Sequence, residues 1–268
     1  MHKLLQFASV AAIIAALGAA AASSAATPAP APGPKPTIVL VHGAFAESDS
    51  WNGVISILTR DGYPVIAAAN PLRGVKYDAD YVSSLLASID GPVVLVGHSY
   101  GGFVISGAAV GHANVKGLVY VDGFEPDAGE TAAGLGERFP GATLGPALAP
   151  PVPLPGGGGD LYIRLDRFHE QFAADVPAAD AALMAATQRP IAASAFVEPA
   201  GEPAWKTIPS WSIYGSADRN ITPAALAFMA ERARARKTVA IPGASHVSMV
   251  SHPREVAALI EEAARAGS

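Results

Sequence analysis

Short runs of β-branched and other apolar residues recur along the chain, and longer, mostly alanine-rich stretches separate them. Because each run is apolar on both faces, it is typical of a buried strand in a parallel sheet covered by helices. The predicted strands are Thr37–Val41, Tyr63–Ala67, Val93–Val96, Leu118–Val121, Trp211–Tyr214 and Thr238–Ile241. The predicted helices are residues 51–60, 79–89, 102–110, 223–236 and 253–264. This alternation predicts an α/β protein with a mostly parallel sheet flanked by helices.

The alternation breaks between about residues 124 and 209. Residues 134–159 are rich in glycine and proline, which is typical of a surface loop, and residues 161–172, 178–187 and 191–196 are predicted to be helical. In open α/β sheets the ligand crevice lies outside the carboxyl ends of the strands. We therefore expect a helical cap insertion that covers this edge of the sheet.

The N-terminus has the pattern of an export signal. Lys3 precedes an apolar, alanine-rich stretch that reaches about Ala22, and small residues suited to a signal peptidase follow it. We interpret residues 1–26 as a bacterial-type signal peptide, 27–36 (TPAPAPGPKP) as a proline-rich linker and 37–268 as the folded domain. The expected location is periplasmic or extracellular. The alternative is a membrane anchor, but the apolar stretch is rich in Ala and Gly and weak for a span, so no stable anchor is expected.

Charge and composition exclude several classes of partner and chemistry. The net charge is −5 and basic residues are not clustered, so neither a nucleic acid nor an anionic membrane surface is an expected partner. The chain has no cysteine, which excludes disulfides, thiolate metal sites and a cysteine nucleophile. The sequence leaves the oligomeric state open.

The segment Gly97-His98-Ser99-Tyr100-Gly101 matches the G-x-S-x-G pattern of a nucleophile elbow. This elbow places a serine on a sharp turn from a strand into a helix, and the flanking runs predict both elements. Glycines are needed beside the turn because a side chain would collide with the neighbouring backbone. Ser99 is therefore the candidate nucleophile, and the N-terminus of the following helix favours negative charge beside it.

A serine needs a base to remove its proton, and in this arrangement the histidine comes last in the chain. His246 follows the last predicted strand directly, so it lies at the same sheet edge as Ser99. The other histidines after Ser99 fit less well. His252 precedes a proline at a helix start, His112 stands in a connection away from that edge, and His169 lies in the insertion. We predict His246 as the general base.

Two aspartates follow predicted strands and reach this edge. Asp218 comes shortly after the strand Trp211–Tyr214, and Asp122 comes directly after Leu118–Val121. Either carboxylate at this place can hold a histidine tautomer and stabilise the imidazolium. Both stand between the serine and the histidine in the chain; we favour Asp218, and Asp122 stays as the alternative.

An oxyanion needs hydrogen-bond donors beside the nucleophile. The backbone N–H of Tyr100 is the expected first donor, and the loop after the first strand supplies the second, for which we choose Ala44 with Phe45 as the alternative. His42, in the same loop, precedes Ser99 in the chain and is expected to be structural. Of the aromatic residues near these motifs, only Phe45 and Tyr100 are assigned to the site, with Phe45 binding substrate.

Four segments in this order, LVHGAF, VGHSYGGF, IYGSADRNITP and IPGASHVSM, resemble the α/β-hydrolase superfamily. Within it they are similar to the small capped esterases that include plant methylesterases and hydroxynitrile lyases. The resemblance extends over about residues 37–260. It implies an eight-stranded, mostly parallel sheet, catalysis without a cofactor, and Ser99, Asp218 and His246 as the triad.

Two sequence differences from related enzymes reduce the range of reactions expected of this chain. Hydroxynitrile lyases of this branch have a lysine directly after the triad histidine, where this chain has Val247, and haloalkane dehalogenases have an aspartate in place of Ser99. The sequence therefore predicts a secreted serine hydrolase that cleaves carboxylic esters of small molecules. The alternatives are amide, lactone or carbon–carbon bond hydrolysis on the same triad, and a hydrolase-like binding protein with negligible turnover.

Overall fold

The computed structural model describes residues 35–267, and six parallel strands form its central sheet. The strands in chain order are β1 (Thr37–Val41), β2 (Val65–Ala68), β3 (Val93–His98), β4 (Val115–Val121), β5 (Val152–Pro153), β6 (Gly159–Leu161), β7 (Ile191–Ala192), β8 (Ser210–Gly215) and β9 (Thr238–Ile241). The central sheet has the order β2-β1-β3-β4-β8-β9, and each neighbouring pair is parallel.

The predicted parallel α/β architecture is thus confirmed, with six strands in the described part of the chain instead of the eight that the resemblance implies. Strand β3 is fully buried along its length, with β1 on one side and β4 on the other. The strand that leads to Ser99 therefore lies in the middle of the sheet.

Helices cover the sheet and fill the insertion. They are α1 (Asn52–Arg60), α2 (Val75–Ala87), α3 (Gly101–Ala108), α4 (Ala132–Arg138), α5 (Leu144–Ala147), α6 (Leu165–Phe172), α7 (Ala178–Thr187), α8 (Pro223–Arg232), α9 (Ser248–Ser251) and α10 (Pro253–Ala266). Helix α1 packs against α10, and α2 packs against α3. Both α3 and α10 contact β3 and β4, so the middle of the sheet is shielded from water by helices. Within residues 35–267 no helix has the length and apolarity needed to cross a membrane.

The insertion between β4 and β8 differs from its sequence-based prediction in three places. Residues 134–159, predicted as loop, contain most of α4, all of α5 and the strand β5. Leu161, predicted to start a helix, is the last residue of β6, and α6 begins only at Leu165. Residues 191–196 form β7 and a 3-10 helix. Strands β5, β6 and β7 pair as a small antiparallel sheet.

The predicted signal peptide (1–26), the alternative membrane anchor and most of the predicted linker (27–36) lie outside the described residues.

Candidate active site

Ser99 occupies a strained turn between β3 and α3. Its φ of +53° lies in the left-handed region, which a non-glycine residue rarely adopts, and the turn is held by hydrogen bonds. The Ser99 amide donates to the carbonyl of Val121 (3.2 Å), and the Ser99 carbonyl accepts from the amides of Gly102 (2.9 Å) and Phe124 (3.1 Å). The strain and these bonds together fix the direction of the serine side chain.

Both glycines of the G-x-S-x-G segment are required by close backbone contacts. A Cβ at Gly97 would lie 2.6 Å from the carbonyl oxygen of Gly101, and a Cβ at Gly101 would lie 2.6 Å from that of Val41. These approaches are far shorter than any normal contact. The elbow predicted from the glycine spacing is therefore present.

The structure brings Ser99, His246 and Asp218 together in one hydrogen-bonded row. His246 Nε2 lies 2.8 Å from Ser99 Oγ, and His246 Nδ1 lies 2.6 Å from Asp218 Oδ2. All three residues are buried or nearly so, with Ser99 7% exposed. The other carboxylate oxygen of Asp218 accepts the amides of Asn220 (2.7 Å) and Ile221 (3.0 Å), which hold the carboxylate in place.

The charge of Asp218 controls the protonation of His246. Burial alone lowers the pKa of the imidazole, but the charge and hydrogen bond of Asp218, with the charge of Asp122, outweigh burial and raise the pKa above its ordinary value. A neutral His246 whose Nδ1–H donates to Asp218 leaves Nε2 free to accept the Ser99 proton. The row can thus transfer a proton from the serine to the imidazole.

The carboxylate of Asp122, the alternative acid, bonds to groups other than His246. Its Oδ1 accepts the Gly215 amide (2.7 Å), and its Oδ2 accepts the amide (2.9 Å) and the hydroxyl (2.5 Å) of Ser248. Asp122 is fully buried, and burial together with the nearby Asp218 carboxylate raises its pKa. Asp122 therefore ties the ends of β4 and β8 to the start of α9 instead of contacting His246.

The three other candidate histidines bond to different groups. His112 Nε2 lies 2.7 Å from Ser83 Oγ, His169 Nε2 lies 2.9 Å from the Val176 carbonyl, and His252 Nδ1 lies 3.5 Å from Asp175 Oδ2. None of these partners belongs to the Ser99 row.

The two predicted oxyanion donors have backbone amides without a protein hydrogen bond, whereas the amide of Phe45, the alternative donor, is already bonded. In the described chain, the N–H groups of Ala44 and Tyr100 donate to no protein group, whereas the Phe45 amide donates to the Arg189 carbonyl (3.0 Å). A Cβ at Gly43 would lie 2.6 Å from Ser99 Cβ and 3.1 Å from the Tyr100 nitrogen, so this loop packs directly on the elbow. Ala44 and Tyr100 thus both present an amide without a protein partner where the loop meets the elbow.

His98, which sequence reasoning did not single out, joins two loops of the site. The fully buried imidazole has Nε2 at 2.8 Å from the His246 carbonyl and Nδ1 at 3.4 Å from the Gly43 amide, which donates to it. Burial lowers the pKa of His98 well below its ordinary value, so the ring is neutral and donates from Nε2. Its position between Gly97 and Ser99 was the available signal, but nothing in the sequence indicates these partners.

The side chain of Tyr100 also has a role that its backbone position does not predict. The Tyr100 hydroxyl donates to the buried Asp78 (2.9 Å), which in addition accepts the amide of Arg73. Burial and the Asp78 carboxylate raise the pKa of Tyr100, so the phenol stays protonated. The elbow is thereby attached to the start of α2.

A cavity of about 490 Å³ opens beside Ser99 and His246, and its wall is mainly apolar. Phe45, the predicted substrate-binding residue, lies in the wall. Four further aromatic residues line it that the sequence did not assign to the site: Phe124, Phe139, Phe172 and Phe196. Residues of α4, α5 and the segment between them form one side, so part of the insertion does face Ser99. Within residues 35–267 no group of three His, Asp or Glu side chains is arranged to hold a metal ion.

Comparison with known proteins gives relatives among small hydrolases. A pyrethroid hydrolase of Sphingobium wenxiniae is 30% identical over 155 residues, which are 52% of this chain and 55% of that protein. A carbendazim hydrolyzing esterase of a Nocardioides species is 31% identical over 142 residues, 48% of this chain and 55% of that protein. The chain thus matches only about half the length of these curated relatives.

Solved structures and a family model extend the match to nearly the whole described chain. The crystal structure of polyneuridine aldehyde esterase superimposes with a TM-score of 0.74 at 19% identity, covering 85% of this chain and 98% of that one, which shows a shared fold. The model of the alpha/beta hydrolase family matches residues 38–259. The predicted fold is confirmed, and the chain belongs to the alpha/beta hydrolase family.

Proposed function

We propose that this protein is a serine hydrolase that cleaves carboxylic esters of small molecules through an acyl-enzyme on Ser99. The observation that carries the proposal is the hydrogen-bonded row of Ser99, His246 and Asp218. This row lies beside an apolar cavity and beside two backbone amides that have no protein partner. The names of the two curated relatives, a hydrolase and an esterase, support the same class of reaction.

In the proposed first half-reaction, Ser99 Oγ attacks the ester carbonyl while His246 Nε2 takes the hydroxyl proton. Asp218 stabilises the imidazolium that forms. The carbonyl oxygen becomes an oxyanion and accepts hydrogen bonds from the amides of Ala44 and Tyr100. The tetrahedral intermediate then collapses, the carbon–oxygen bond to the alcohol breaks, and His246 protonates the leaving alcohol.

In the second half-reaction, water takes the place of the alcohol. His246, neutral again, removes a proton from this water, and the resulting nucleophile attacks the acyl carbon of the Ser99 ester. Collapse of the second intermediate returns the proton to Ser99 Oγ and releases the carboxylic acid. The alcohol leaves with the original Ser99 proton, and the water supplies both the proton that replaces it and the hydroxyl of the carboxylic acid, so the proposed cycle uses no cofactor.

The cavity favours uncharged, bulky apolar esters. Its volume of about 490 Å³ lies within the range that encloses a drug-sized ligand. Phenylalanine rings line it. Among the described residues of the lining, the one ionisable side chain apart from the Ser99 row and Tyr100 is that of Glu137, which is exposed. An ionised acyl or alcohol group would lose its hydration here without gaining a charged partner.

The proposal is tested with residues 27–268 and a series of p-nitrophenyl esters from acetate to palmitate. We expect turnover that falls by on the order of 10⁴-fold or more in Ser99→Ala. Ser88→Ala, at an exposed serine on the surface, is the matched control and should keep full activity. A fluorophosphonate probe should label Ser99 in the parent protein. Turnover that persists in Ser99→Ala, or a parent protein that neither turns over esters nor reacts with the probe, would refute the proposal.

We also propose export from the cytoplasm, from the N-terminal sequence alone. Expression of the full chain in a bacterial host, followed by N-terminal sequencing of the periplasmic fraction, should give a mature protein that begins near Thr27. A full-length protein that stays in the cytoplasm or the membrane fraction would contradict this.

A further inference from the structure

The oxyanion loop, residues 42–47, is held by the insertion at one end. Arg189, between α7 and β7, accepts the Phe45 amide at its carbonyl (3.0 Å). Phe45 has a φ of +62°, a conformation that a phenylalanine adopts only where its surroundings enforce it. The residue with the strained backbone is thus the one that donates a hydrogen bond to the insertion.

The Arg189 side chain makes a second attachment to the same loop. Its Nη2 donates to Glu47 Oε2 (3.0 Å), and its Nε lies 2.8 Å from Glu47 Oε1. The two side chains are about one-third exposed (36% and 28%), so the pair is partly screened by water. Arg189 thus contacts the loop at residues 45 and 47, with its backbone and with its guanidinium.

The other end of the loop is held by the core. The Gly43 amide donates to His98 Nδ1 (3.4 Å), and the Gly43 carbonyl lies 3.0 Å from His42 Nδ1. Ala44, whose free amide we assign to the oxyanion, therefore stands between a residue bound to the core and a residue bound to the insertion. Its direction depends on both attachments.

The segment that carries Arg189 is itself fixed to the core. Arg73 Nη2 donates to the Pro190 carbonyl (3.0 Å), and the Ala192 amide donates to the Leu72 carbonyl (3.0 Å). Arg73 also pairs with Asp160 of β6 (2.7 Å). These bonds fix the position of the segment from which Arg189 contacts the oxyanion loop.

We propose that Arg189 is a positioning residue for the oxyanion loop, through which the insertion sets the direction of the Ala44 amide. The inference rests on the proposed function, because it assigns Arg189 an effect on transition-state stabilisation. A donor that is aimed correctly stabilises the oxyanion more than the ground-state carbonyl, so its displacement lowers kcat and leaves KM nearly unchanged.

The test compares Arg189→Ala with Arg164→Ala. Arg164 also lies in the insertion, and its guanidinium makes two hydrogen bonds to Asp166 (2.7 and 3.1 Å), away from the oxyanion loop and in a more exposed pair than that of Arg189 with Glu47. We expect kcat for p-nitrophenyl butyrate to fall about 3- to 10-fold in Arg189→Ala, since the backbone bond to Phe45 remains, with KM changed less than about twofold. Arg164→Ala should match the parent protein.

Two further measurements separate positioning from general loss of structure. The rate of inactivation by a fluorophosphonate should fall in parallel with kcat, because its phosphoryl oxygen uses the same amides, while the final labelled fraction of Ser99 stays complete. The exchanged pair Arg189→Glu with Glu47→Arg should recover most of the lost kcat, and Arg189→Lys should lie between the parent and Arg189→Ala.

The proposal is overturned if kcat of Arg189→Ala equals that of the parent, if only KM changes, or if Arg164→Ala loses the same factor. A parent protein that the fluorophosphonate does not label, or a Ser99→Ala variant that keeps its activity, would instead refute the proposed function, so the two failures are distinguishable.

Discussion

A methyl group at residue 43 is the smallest change that should disturb the proposed oxyanion hole while every catalytic side chain stays in place. In the structure, a Cβ on Gly43 would lie 2.6 Å from Ser99 Cβ and 2.7 Å from the His98 carbonyl oxygen. Ordinary van der Waals contact begins at 3.4 Å, so the approach to Ser99 is about 0.8 Å too short. The contacted atoms belong to the elbow between β3 and α3, which is fixed by its own hydrogen bonds. We therefore expect the loop, and not the elbow, to move.

A shift of this size moves the Ala44 amide away from the oxyanion. Loss of one oxyanion donor typically lowers kcat by about 10²–10³-fold, and a misplacement of about 1 Å alone costs on the order of 10²-fold. Gly43→Ala should therefore lower kcat for p-nitrophenyl butyrate about 10²-fold, with KM within about threefold of the parent value. The kinetics are measured on enzyme whose active-site concentration is determined by titration with a fluorophosphonate.

Gly201→Ala is the matched control, because Gly201 is exposed and a Cβ there meets no atom within 4 Å. Circular dichroism and thermal unfolding show whether Gly43→Ala keeps its fold. If a folded Gly43→Ala retains the parent kcat, the loop either does not supply the oxyanion donor or does not shift, and the reasoning is wrong. A loss confined to KM would place the loop in ground-state binding instead.

Two further predictions concern buried charges. Asp218→Asn removes the main charge that raises the pKa of His246, so the effect of burial prevails and this pKa falls. The acidic limb of the kcat/KM profile should move to lower pH, and kcat should drop on the order of 10³–10⁴-fold. An acidic limb that stays in place would contradict the assignment of Asp218. Burial raises the pKa of Glu125 from 4.5 to about 8, so the protonated form is favoured in the folded state and stability is lost as pH rises between these values. One pH unit corresponds to about 1.4 kcal/mol. Between pH 5 and pH 8 the free energy of unfolding of Glu125→Gln, measured with urea, should therefore rise relative to that of the parent by on the order of 4 kcal/mol. An equal pH dependence of the two proteins would show that Glu125 ionises freely.

The sequence predicted the elbow because its requirements are local. Gly97 and Gly101 are spaced for one turn, and an apolar run on one side and a helical stretch on the other supply the context. The contacts that a Cβ would make at both glycines are with backbone, so no rearrangement of side chains replaces them. The position of His246 followed for a similar reason, since a loop directly after a parallel strand lies at the carboxyl edge of the sheet.

The choice between Asp218 and Asp122 required coordinates. Both follow strands that end at the same edge, but Asp122 has a φ of +45° and its carboxylate meets the amides of Gly215 and Ser248. Whether a carboxylate faces an imidazole or a backbone amide depends on the path of the loops around it. Spacing in the sequence does not encode that path.

The insertion was predicted least well, because its elements are too short to produce a periodic pattern. Strands β5, β6 and β7 have two or three residues each, and the turn between β5 and β6 contains the glycine run 156–158. An alternating pattern needs about four residues to be recognised. Two aromatic residues of the cavity wall, Phe139 and Phe196, lie in these segments. Phe124 and Phe172 lie near the motifs, where aromatic residues more often belong to the core, so the sequence did not assign them to the site.

His98 shows how an unassigned position of a motif can join the parts of a site. A neutral imidazole has one donor and one acceptor, and His98 uses the donor on the His246 carbonyl and the acceptor on the Gly43 amide. The loop that carries the proposed base and the loop that carries the proposed oxyanion donor are therefore attached to the same buried ring, that of the residue before Ser99 in the chain. A protonated His98 would lose the bond to Gly43, and burial prevents that protonation by keeping its pKa low. The spacing between base, nucleophile and oxyanion donor thus rests on hydrogen bonds of an imidazole that stays neutral where His246 titrates.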